Sequence, residues 1–251
     1  MPTSTQLTHA RARAAAAALI TLALLVAGLA LAGRDGASSA GAATDPAAVS
    51  AKQTVVLGSG GPMPEARCPE LCLGLAIVTG LQAKVDGMTN PYRVPFNGEI
   101  TAWKLGLGKP TRAQRMFCQK RFGERPQAGL AVLKKVTVAG KVRYQLRKRS
   151  PLQGLNRVLG TTASFKLAKP IKVRKGELVG LTVPTWAPAM AMPAGLTEQG
   201  YSWRASRKRS TCKQPISPAT SRPQQAIGSK REYGCRFNGE QLAYRVKVRS
   251  R

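Results

Sequence analysis

The stretch Leu242-Ala-Tyr-Arg-Val-Lys-Val-Arg-Ser-Arg251 decides the fold class of this chain. Apolar residues at positions 242, 244, 246 and 248 alternate with the basic residues Arg245, Lys247 and Arg249. Alternation with a period of two is typical of a β-strand that buries one face and exposes the other. The stretch therefore predicts a half-buried strand that carries a row of cations on its outer face.

The same pattern predicts further strands upstream. In residues 101–107, Trp103 falls on one face with two leucines. Residues 136–138 and 142–146 flank Ala139-Gly-Lys141, which is typical of a hairpin. Residues 165–167 and 171–173 alternate around Pro170, which predicts an edge strand or a bend, and residues 177–183 follow a turn at 175–176. Because strands and helices do not alternate, the pattern favours an all-β fold, a single antiparallel β-sandwich of the jelly-roll type.

One short helix is predicted between these strands. Thr111 and Gln114 have the spacing of a capping box, and Gly123 is suited to end a helix after Phe122. The alternative interpretation of this segment is an ordered loop. At most one or two short helices are therefore expected in the folded domain.

The first 65 residues have the composition of an export signal and a linker. Arg11 and Arg13 precede an apolar stretch, residues 14–32, and Ala40-Gly-Ala42 is a small-x-small cleavage pattern. We expect residues 1–43 to be a signal peptide, residues 44–65 a flexible linker and residues 66–251 the β-sandwich domain. The alternative is an uncleaved anchor, because residues 14–32 are long enough to span a bilayer. In either case we expect an extracellular or cell-envelope protein, with membrane contact only through residues 14–32 if they are retained.

The charge of the chain indicates its class of partner. The 251 residues include 40 Lys and Arg against 11 Asp and Glu, a formal net charge of +29. Such an excess favours binding to anionic polymers, and export makes an anionic cell-wall polymer or an acidic glycan the expected partner. Nucleic acid is disfavoured, because aromatic residues are only 5% of the chain and base-stacking platforms are therefore few.

The sequence offers little catalytic chemistry. Its one histidine, His9, lies in the predicted signal peptide, so a cleaved protein has no imidazole for a Ser-His-Asp or Cys-His site. A glycosidase needs two converging carboxylates, and nothing in the sequence brings a pair of them together. We therefore expect no catalytic residue, no cofactor and no enzymatic activity. The carboxylates considered for a catalytic pair are Asp86, Glu99, Glu124, Glu177 and Glu232.

The cysteine count predicts two disulfides and one free thiol. Five cysteines in an exported chain allow fifteen such arrangements. We expect Cys212 to pair with Cys235 across a segment rich in Pro, Ser and Arg, and Cys68 to pair with Cys72, which leaves Cys118 free. A zinc site at Cys68 and Cys72 is not expected, because no further ligands are spaced to complete it.

The candidate binding residues follow from the basic strands. A polyanion is expected to contact Arg245, Lys247 and Arg249 on the last strand, Lys172 and Arg174 on another, and the run Arg207-Lys208-Arg209. If the two strands share a sheet, their outer face forms one cationic surface. The alternative is a solvated, charge-protected sheet face. Trp186 lies outside the strand pattern and is the candidate for stacking on a sugar, with ring packing under a loop as its alternative.

A resemblance to a protein family covers about half of the chain. Residues 91–103, which begin Pro-Tyr-Arg-Val-Pro, and residues 173–188, which end Pro-Thr-Trp-Ala-Pro, resemble exported β-sandwich proteins of actinobacteria that have no assigned activity. The resemblance implies the fold and the compartment and supplies no catalytic residue. Our first functional hypothesis is therefore a non-enzymatic, exported module that associates with anionic polymers. The alternatives are a carbohydrate-binding or glycan-cleaving domain and a purely structural envelope protein.

Overall fold

The computed structural model describes residues 52–58, 61–66, 68, 74–192, 199–217, 221 and 225–251. The predicted signal peptide, residues 1–43, lies outside the described residues, and so do its apolar stretch 14–32 and Cys72. Among the described helices, none has the length and the apolar composition needed to cross a membrane.

The described residues form mostly β-structure, with one α-helix and one 3-10 turn. The strands are β1 (Thr54–Leu57), β2 (Leu75–Val85), β3 (Met88–Thr89), β4 (Gly98–Gly106), β5 (Gln127–Val138), β6 (Lys141–Arg149), β7 (Gln153–Gly154), β8 (Thr162–Val173), β9 (Leu178–Ala187), β10 (Met190–Ala191), β11 (Ser202–Ala205), β12 (Lys230–Arg231), β13 (Cys235–Asn238), β14 (Gln241–Leu242) and β15 (Tyr244–Ser250). The α-helix, α1, spans Arg112–Phe122, and the 3-10 turn spans Arg209–Thr211.

A four-stranded antiparallel sheet has the strand order β1-β15-β4-β8. Its central strand β4 contains a bulge at Thr101, where the register with both neighbours passes from Ile100 directly to Ala102. An extra residue in one strand changes the alternation of its side chains. Ile100 and Trp103 are consequently both buried although they are three positions apart.

A larger sheet has the order β12-β6-β5-β9-β2-β11-β13, with β3 added beside β2 and β7 beside β5, and β10 and β14 form a separate two-stranded sheet. Alternate side chains from both main sheets, such as Ile100 and Val246 from the smaller and Leu130 and Leu181 from the larger, belong to one buried cluster. The strand pairs of the described residues are all antiparallel. The prediction of an antiparallel, mostly β fold is therefore confirmed.

Two stacked tyrosines join the two sheets inside this cluster. The hydroxyl of Tyr244, on β15, donates a hydrogen bond to the carbonyl of Val179, on β9, at 2.9 Å. The hydroxyl of Tyr92 donates to the carbonyl of Tyr244, and the two rings are stacked with centroids 4.1 Å apart. Burial raises the pKa of both phenols, so each remains a neutral hydrogen-bond donor.

The larger sheet also buries apolar and aromatic residues on its outer face. Tyr233 packs there with Leu133, Leu146 and Leu178. Trp186 packs there with Ile77, and Cys118 and Phe122 of α1 contact the same cluster. The larger sheet is therefore covered on both faces in these regions.

Several local predictions are confirmed. Thr111 and Gln114 form the reciprocal capping box, and α1 ends at Phe122 before Gly123. The β5–β6 hairpin turns at Ala139 and Gly140, both with positive φ, as in the tight turns that match the twist of paired strands. Pro170 lies in the edge strand β8, in a stretch where the pairing with β4 is interrupted.

The predicted flexible linker needs a correction, because β1 lies inside residues 44–65. Residues 54–57 pair with β15, and Val55 and Val248 are opposite each other. The residues of this short strand are β-branched or apolar. The neighbouring Ala, Gly and Ser residues made the segment look like a linker in the sequence. Order therefore begins before residue 66, at the edge of the four-stranded sheet.

Candidate polyanion-binding face

The outer side of the four-stranded sheet carries five exposed basic side chains, which together we name the cationic face. They come from three adjacent strands and extend away from the buried cluster. Its members are Lys104 on β4, Lys166 and Lys172 on β8, and Lys247 and Arg249 on β15.

The strand register aligns these residues in rows across the sheet. Lys247 is opposite Ala102, and Ala102 is opposite Lys166 on the other side of β4. In the next row Arg249 and Lys172 flank Glu99. Alternate residues of a strand lie about 7 Å apart, so Lys247 and Arg249 follow each other at this spacing along β15.

Little negative charge balances the cationic face. Glu99 lies on its central strand between Arg249 and Lys172, but its carboxylate accepts a bond from the Arg251 guanidinium at 3.3 Å. Within the part of the chain that the structure describes, none of the five cations forms an ion pair. A surface with this balance has a positive potential that attracts anions and is screened by salt.

A basic cleft continues the cationic face at the edge of the sheet. Its volume is about 350 Å³, and Lys172 and Arg174 from the β8 end face Arg147 and Lys148 of β6 across it. Arg251 lines it as well. The cleft also contains the carboxylate of Glu177. This carboxylate accepts a hydrogen bond from the backbone N–H of Arg174 at 2.9 Å and lies 3.9 Å from Arg147 Nε. Cations therefore outnumber carboxylates in the cleft as well.

Arg245 occupies the predicted row but is not part of the exposed surface. Its side chain is buried, and its Nη2 atom donates to the carbonyls of Gly61 and Pro62 at 2.9 and 2.7 Å. The chain before β2 covers this position, which period-two reasoning about β15 alone does not reveal. Arg245 therefore holds residues 61 and 62 against β15. This corrects its assignment as a candidate polyanion-binding residue.

The run Arg207-Lys208-Arg209 lies elsewhere, in a loop held by a disulfide. Cys212 and Cys235 are bonded, with Cα atoms 5.3 Å apart, which confirms that predicted pair. Cys68 is also disulfide-bonded, but the predicted partner, Cys72, lies outside the described residues. Cys118 is free, as predicted. Lys208 and Arg209 are exposed, whereas Arg207 is buried.

Trp186 is not placed to stack on a sugar. Only 2% of the residue is exposed, and its Nε1 atom donates to the carbonyl of Gly123 at 2.9 Å. The strand β9 continues through this position, so the ring points to the outer side of the larger sheet, where α1 covers it. Trp186 is therefore not a sugar-stacking residue. Its ring is packed in the interior, as the alternative interpretation had it, although a helix rather than a loop covers it.

The carboxylates considered for catalysis are largely occupied by ion pairs. Glu99 contacts Arg251, Glu177 contacts Arg147, and Glu232 lies 3.1 Å from Arg143. Glu232 also accepts from the backbone N–H of Arg209 at 3.2 Å. Glu99, Glu177 and Glu232 therefore each face an arginine.

Other titratable groups with shifted pKa values lie away from the cationic face. Burial raises the pKa of the Cys118 thiol, beside α1. Burial raises the pKa of Glu240, and the hydrogen bond that its carboxylate accepts from Trp203 Nε1, at 2.7 Å, partly offsets this effect. In the described part of the chain, no three His, Cys, Asp or Glu side chains are grouped so that they could hold a metal ion.

Sequence reasoning missed two members of the cationic face and two residues of the basic cleft. Lys104 lies between Trp103 and Leu105, and Lys166 between Phe165 and Leu167. Period two already placed both lysines opposite core residues, so the signal for their exposure was present. Arg147 and Lys148 belong to the other sheet, and only the tertiary structure brings them to β8.

The chain was compared with known protein families, with characterised proteins and with solved structures, and no match was found.

Proposed function

We propose that this protein is an exported, non-enzymatic β-sandwich that binds an anionic cell-wall polymer or an acidic glycan through the cationic face. The observation that carries the proposal is the register of β15, β4 and β8, which places five exposed cations and one carboxylate on the same side of the sheet. A charged chain lying across the strands would meet several of these cations at once. Such contacts need neither an aromatic platform nor a deep pocket.

The physical character of the face favours recognition by charge rather than by shape. Lysines supply four of the five cations, and Lys is a flexible point charge that tolerates varied anion geometry. The basic cleft at the edge adds arginines, which bind carboxylate, sulfate or phosphate groups with fixed geometry. Binding is therefore expected to be strong at low salt, weak at high salt and tolerant of the polymer's chemical identity.

The proposed fold and compartment have support of their own. Eight of the strands form the layers β1-β15-β4-β8 and β2-β9-β5-β6, an order that agrees with the two interleaved Greek keys of a jelly roll. The Cys212–Cys235 disulfide favours an oxidising compartment, such as the exterior of a cell. Both points are consistent with the resemblance to exported actinobacterial β-sandwich proteins.

The experiment compares two variants that lose equal charge at different places. The first replaces Lys166, Lys172, Lys247 and Arg249 by Gln. The matched control replaces four exposed cations of α1 by Gln, a residue that a helix accepts readily. The control positions are Arg112, Arg115, Lys120 and Arg121.

Binding is measured to heparin, to polygalacturonate and to neutral dextran over a range of salt concentrations. We expect the natural protein to bind both anionic polymers and not dextran. The slope of log K against log salt is negative, and loss of four contacts should reduce its magnitude by about 3, since a flexible anionic strand contributes about 0.7 per contact. The α1 variant should keep the natural slope.

Any of three outcomes would overturn the proposal. Equal losses in the two variants would mean that net charge alone, and not the cationic face, causes binding. Retention of the natural protein on dextran would favour the carbohydrate-binding alternative, and absence of binding to all three polymers would favour a purely structural envelope protein.

A further inference from the structure

A second cleft lies between the disulfide-held loop and the end of the larger sheet, and we name it the loop cleft. It has a volume of about 650 Å³. Ser206 to Thr211, the loop that follows β11, forms one side, and β12 with part of β6 forms the other. It lies apart from the cationic face, and no residue that lines it also lines the basic cleft.

The charges around the loop cleft favour an anion. One carboxylate, Glu232, lines it, and Arg143 Nη1 lies 3.1 Å from this carboxylate. Five basic side chains line the same cleft. They are Arg143, Arg207, Lys208, Lys230 and Arg231.

Two buried polar side chains of this cleft have unsatisfied atoms. Arg207 is 4% exposed, and its Nη2 atom donates to the carbonyls of Thr211 and Gln214, which fixes the plane of the guanidinium. Among the residues that the structure describes, its Nε atom has no hydrogen-bond partner, and neither has Oγ of Ser221, which is 3% exposed. Burying such atoms without a partner is unfavourable, so they are rarely left unsatisfied.

The fold holds Arg207 at this position from several directions. The backbone N–H of Gly234 donates to the Arg207 carbonyl at 2.8 Å. A side chain at Gly234 would collide with the backbone N of Arg209, 2.6 Å from an ideal Cβ, so glycine permits this close approach. The Cys212–Cys235 disulfide closes the loop on the other side. The guanidinium is therefore positioned before any ligand arrives.

We propose that the loop cleft is a binding site for a tetrahedral oxyanion, the phosphate or sulfate group of an ester. Such a group has several acceptor oxygens, so it can accept from Arg207 Nε and from the Ser221 hydroxyl together. Its negative charge is balanced by the surrounding lysines and arginines. The site extends the proposed function to a specific anionic substituent, but it uses a different part of the molecule.

The test measures binding of inorganic phosphate and, separately, of inorganic sulfate to the full chain by isothermal titration calorimetry. Ionic strength is held constant with chloride. We expect saturable binding of at least one oxyanion. Arg207→Lys, which keeps the charge but removes the fixed donor, should weaken binding at least tenfold, and Ser221→Ala should weaken it about threefold.

Controls separate this site from the cationic face. Lys166→Gln, in the cationic face but outside the basic cleft, should leave oxyanion binding unchanged, whereas Ser221→Ala should leave the salt dependence of heparin binding unchanged. Ser221→Ala also keeps the proposal testable if Arg207→Lys does not fold. Tighter binding of phosphate or of sulfate supports the site and identifies the ester class.

Three results would overturn the inference. They are the absence of saturable binding to either anion, natural affinity in both Arg207→Lys and Ser221→Ala, and equal weakening by Lys166→Gln. None of these results bears on the slope difference that tests the cationic face, so the two proposals fail independently.

Discussion

The outer faces of the two sheets differ in what covers them. The four-stranded sheet presents Lys247 and Arg249 to solvent, whereas the larger sheet buries Trp186 and Tyr233 on its corresponding side. The cover consists of α1 and of the long connection between β11 and β13. On the four-stranded sheet, residues 61 and 62 cover Arg245 but leave Lys247 and Arg249 exposed.

The strands of the two sheets also differ in composition. In β15, buried Val246 and Val248 alternate with exposed Lys247 and Arg249. In β2 and β9 most residues on both faces are buried, and their sequences are nearly continuous apolar runs. Alternation indicates one solvent face, and a continuous run indicates a strand covered on both sides. The comparison predicts that substitutions on the covered face affect stability and that substitutions on the cationic face affect binding.

The largest expected effect is at Trp186, beneath α1. Trp186→Ala should lower the free energy of unfolding by about 3 to 5 kcal/mol, because it removes a large buried ring and leaves a cavity. The salt dependence of heparin binding by the folded variant should not change. Urea-induced unfolding followed by circular dichroism measures the first quantity.

Trp186→Phe is the matched control, because it keeps a ring but loses the hydrogen bond to the Gly123 carbonyl. Its loss of stability should be smaller. If Trp186→Ala impaired heparin binding and left stability unchanged, the distinction between the covered and the exposed face would fail.

The next effect contrasts two arginines of the same strand. Arg245→Gln should lower the free energy of unfolding by about 2 kcal/mol or more, because it removes charge-assisted bonds to the Gly61 and Pro62 carbonyls. Arg249→Gln should change stability by less than about 0.5 kcal/mol, as expected of an exposed site, and should weaken heparin binding. The same two measurements, urea unfolding and heparin affinity, decide between these roles. Reversed results at the two positions would contradict the assignment.

The smallest effect concerns a half-buried carboxylate, Glu240, beside Trp203. Burial raises the pKa of Glu240 in the folded state, so its contribution to stability is fully present below the unfolded-state pKa and is lost as pH rises through the folded-state pKa. Glu240→Gln keeps an acceptor for Trp203 and removes the charge. The variant should therefore be more stable than the natural protein at pH 7, and this advantage should shrink as the solution is acidified to pH 4.

Urea unfolding of both proteins at pH 7 and pH 4 measures this change. Glu99→Gln, on the four-stranded sheet, is the surface comparison and should cost less than about 1 kcal/mol, the usual range for an exposed ion pair. An advantage of Glu240→Gln that is independent of pH would contradict the assigned cause.

Local patterns predicted much of the fold because they depend on neighbouring residues. The capping box of Thr111 and Gln114, the turn at Gly140 and the alternation of β15 require only short-range geometry, and each is present. The strand β1 was missed because four residues inside an Ala- and Gly-rich region give a weak signal. Its place in the sheet depends on pairing with β15, almost 200 residues away in sequence.

The candidate site, like the fold, could be predicted only in part from the sequence. By itself, the sequence determined that the protein is strongly basic, that it is mostly β, and that Lys172, Lys247 and Arg249 alternate with core residues. Only the tertiary structure decided that β4 lies between β8 and β15, that Arg245 is covered, and that Arg207 shares a cleft with Ser221. The reason is physical, because alternation along a strand depends on adjacent residues, whereas strand neighbours and the covering of a face depend on contacts between distant segments of the chain.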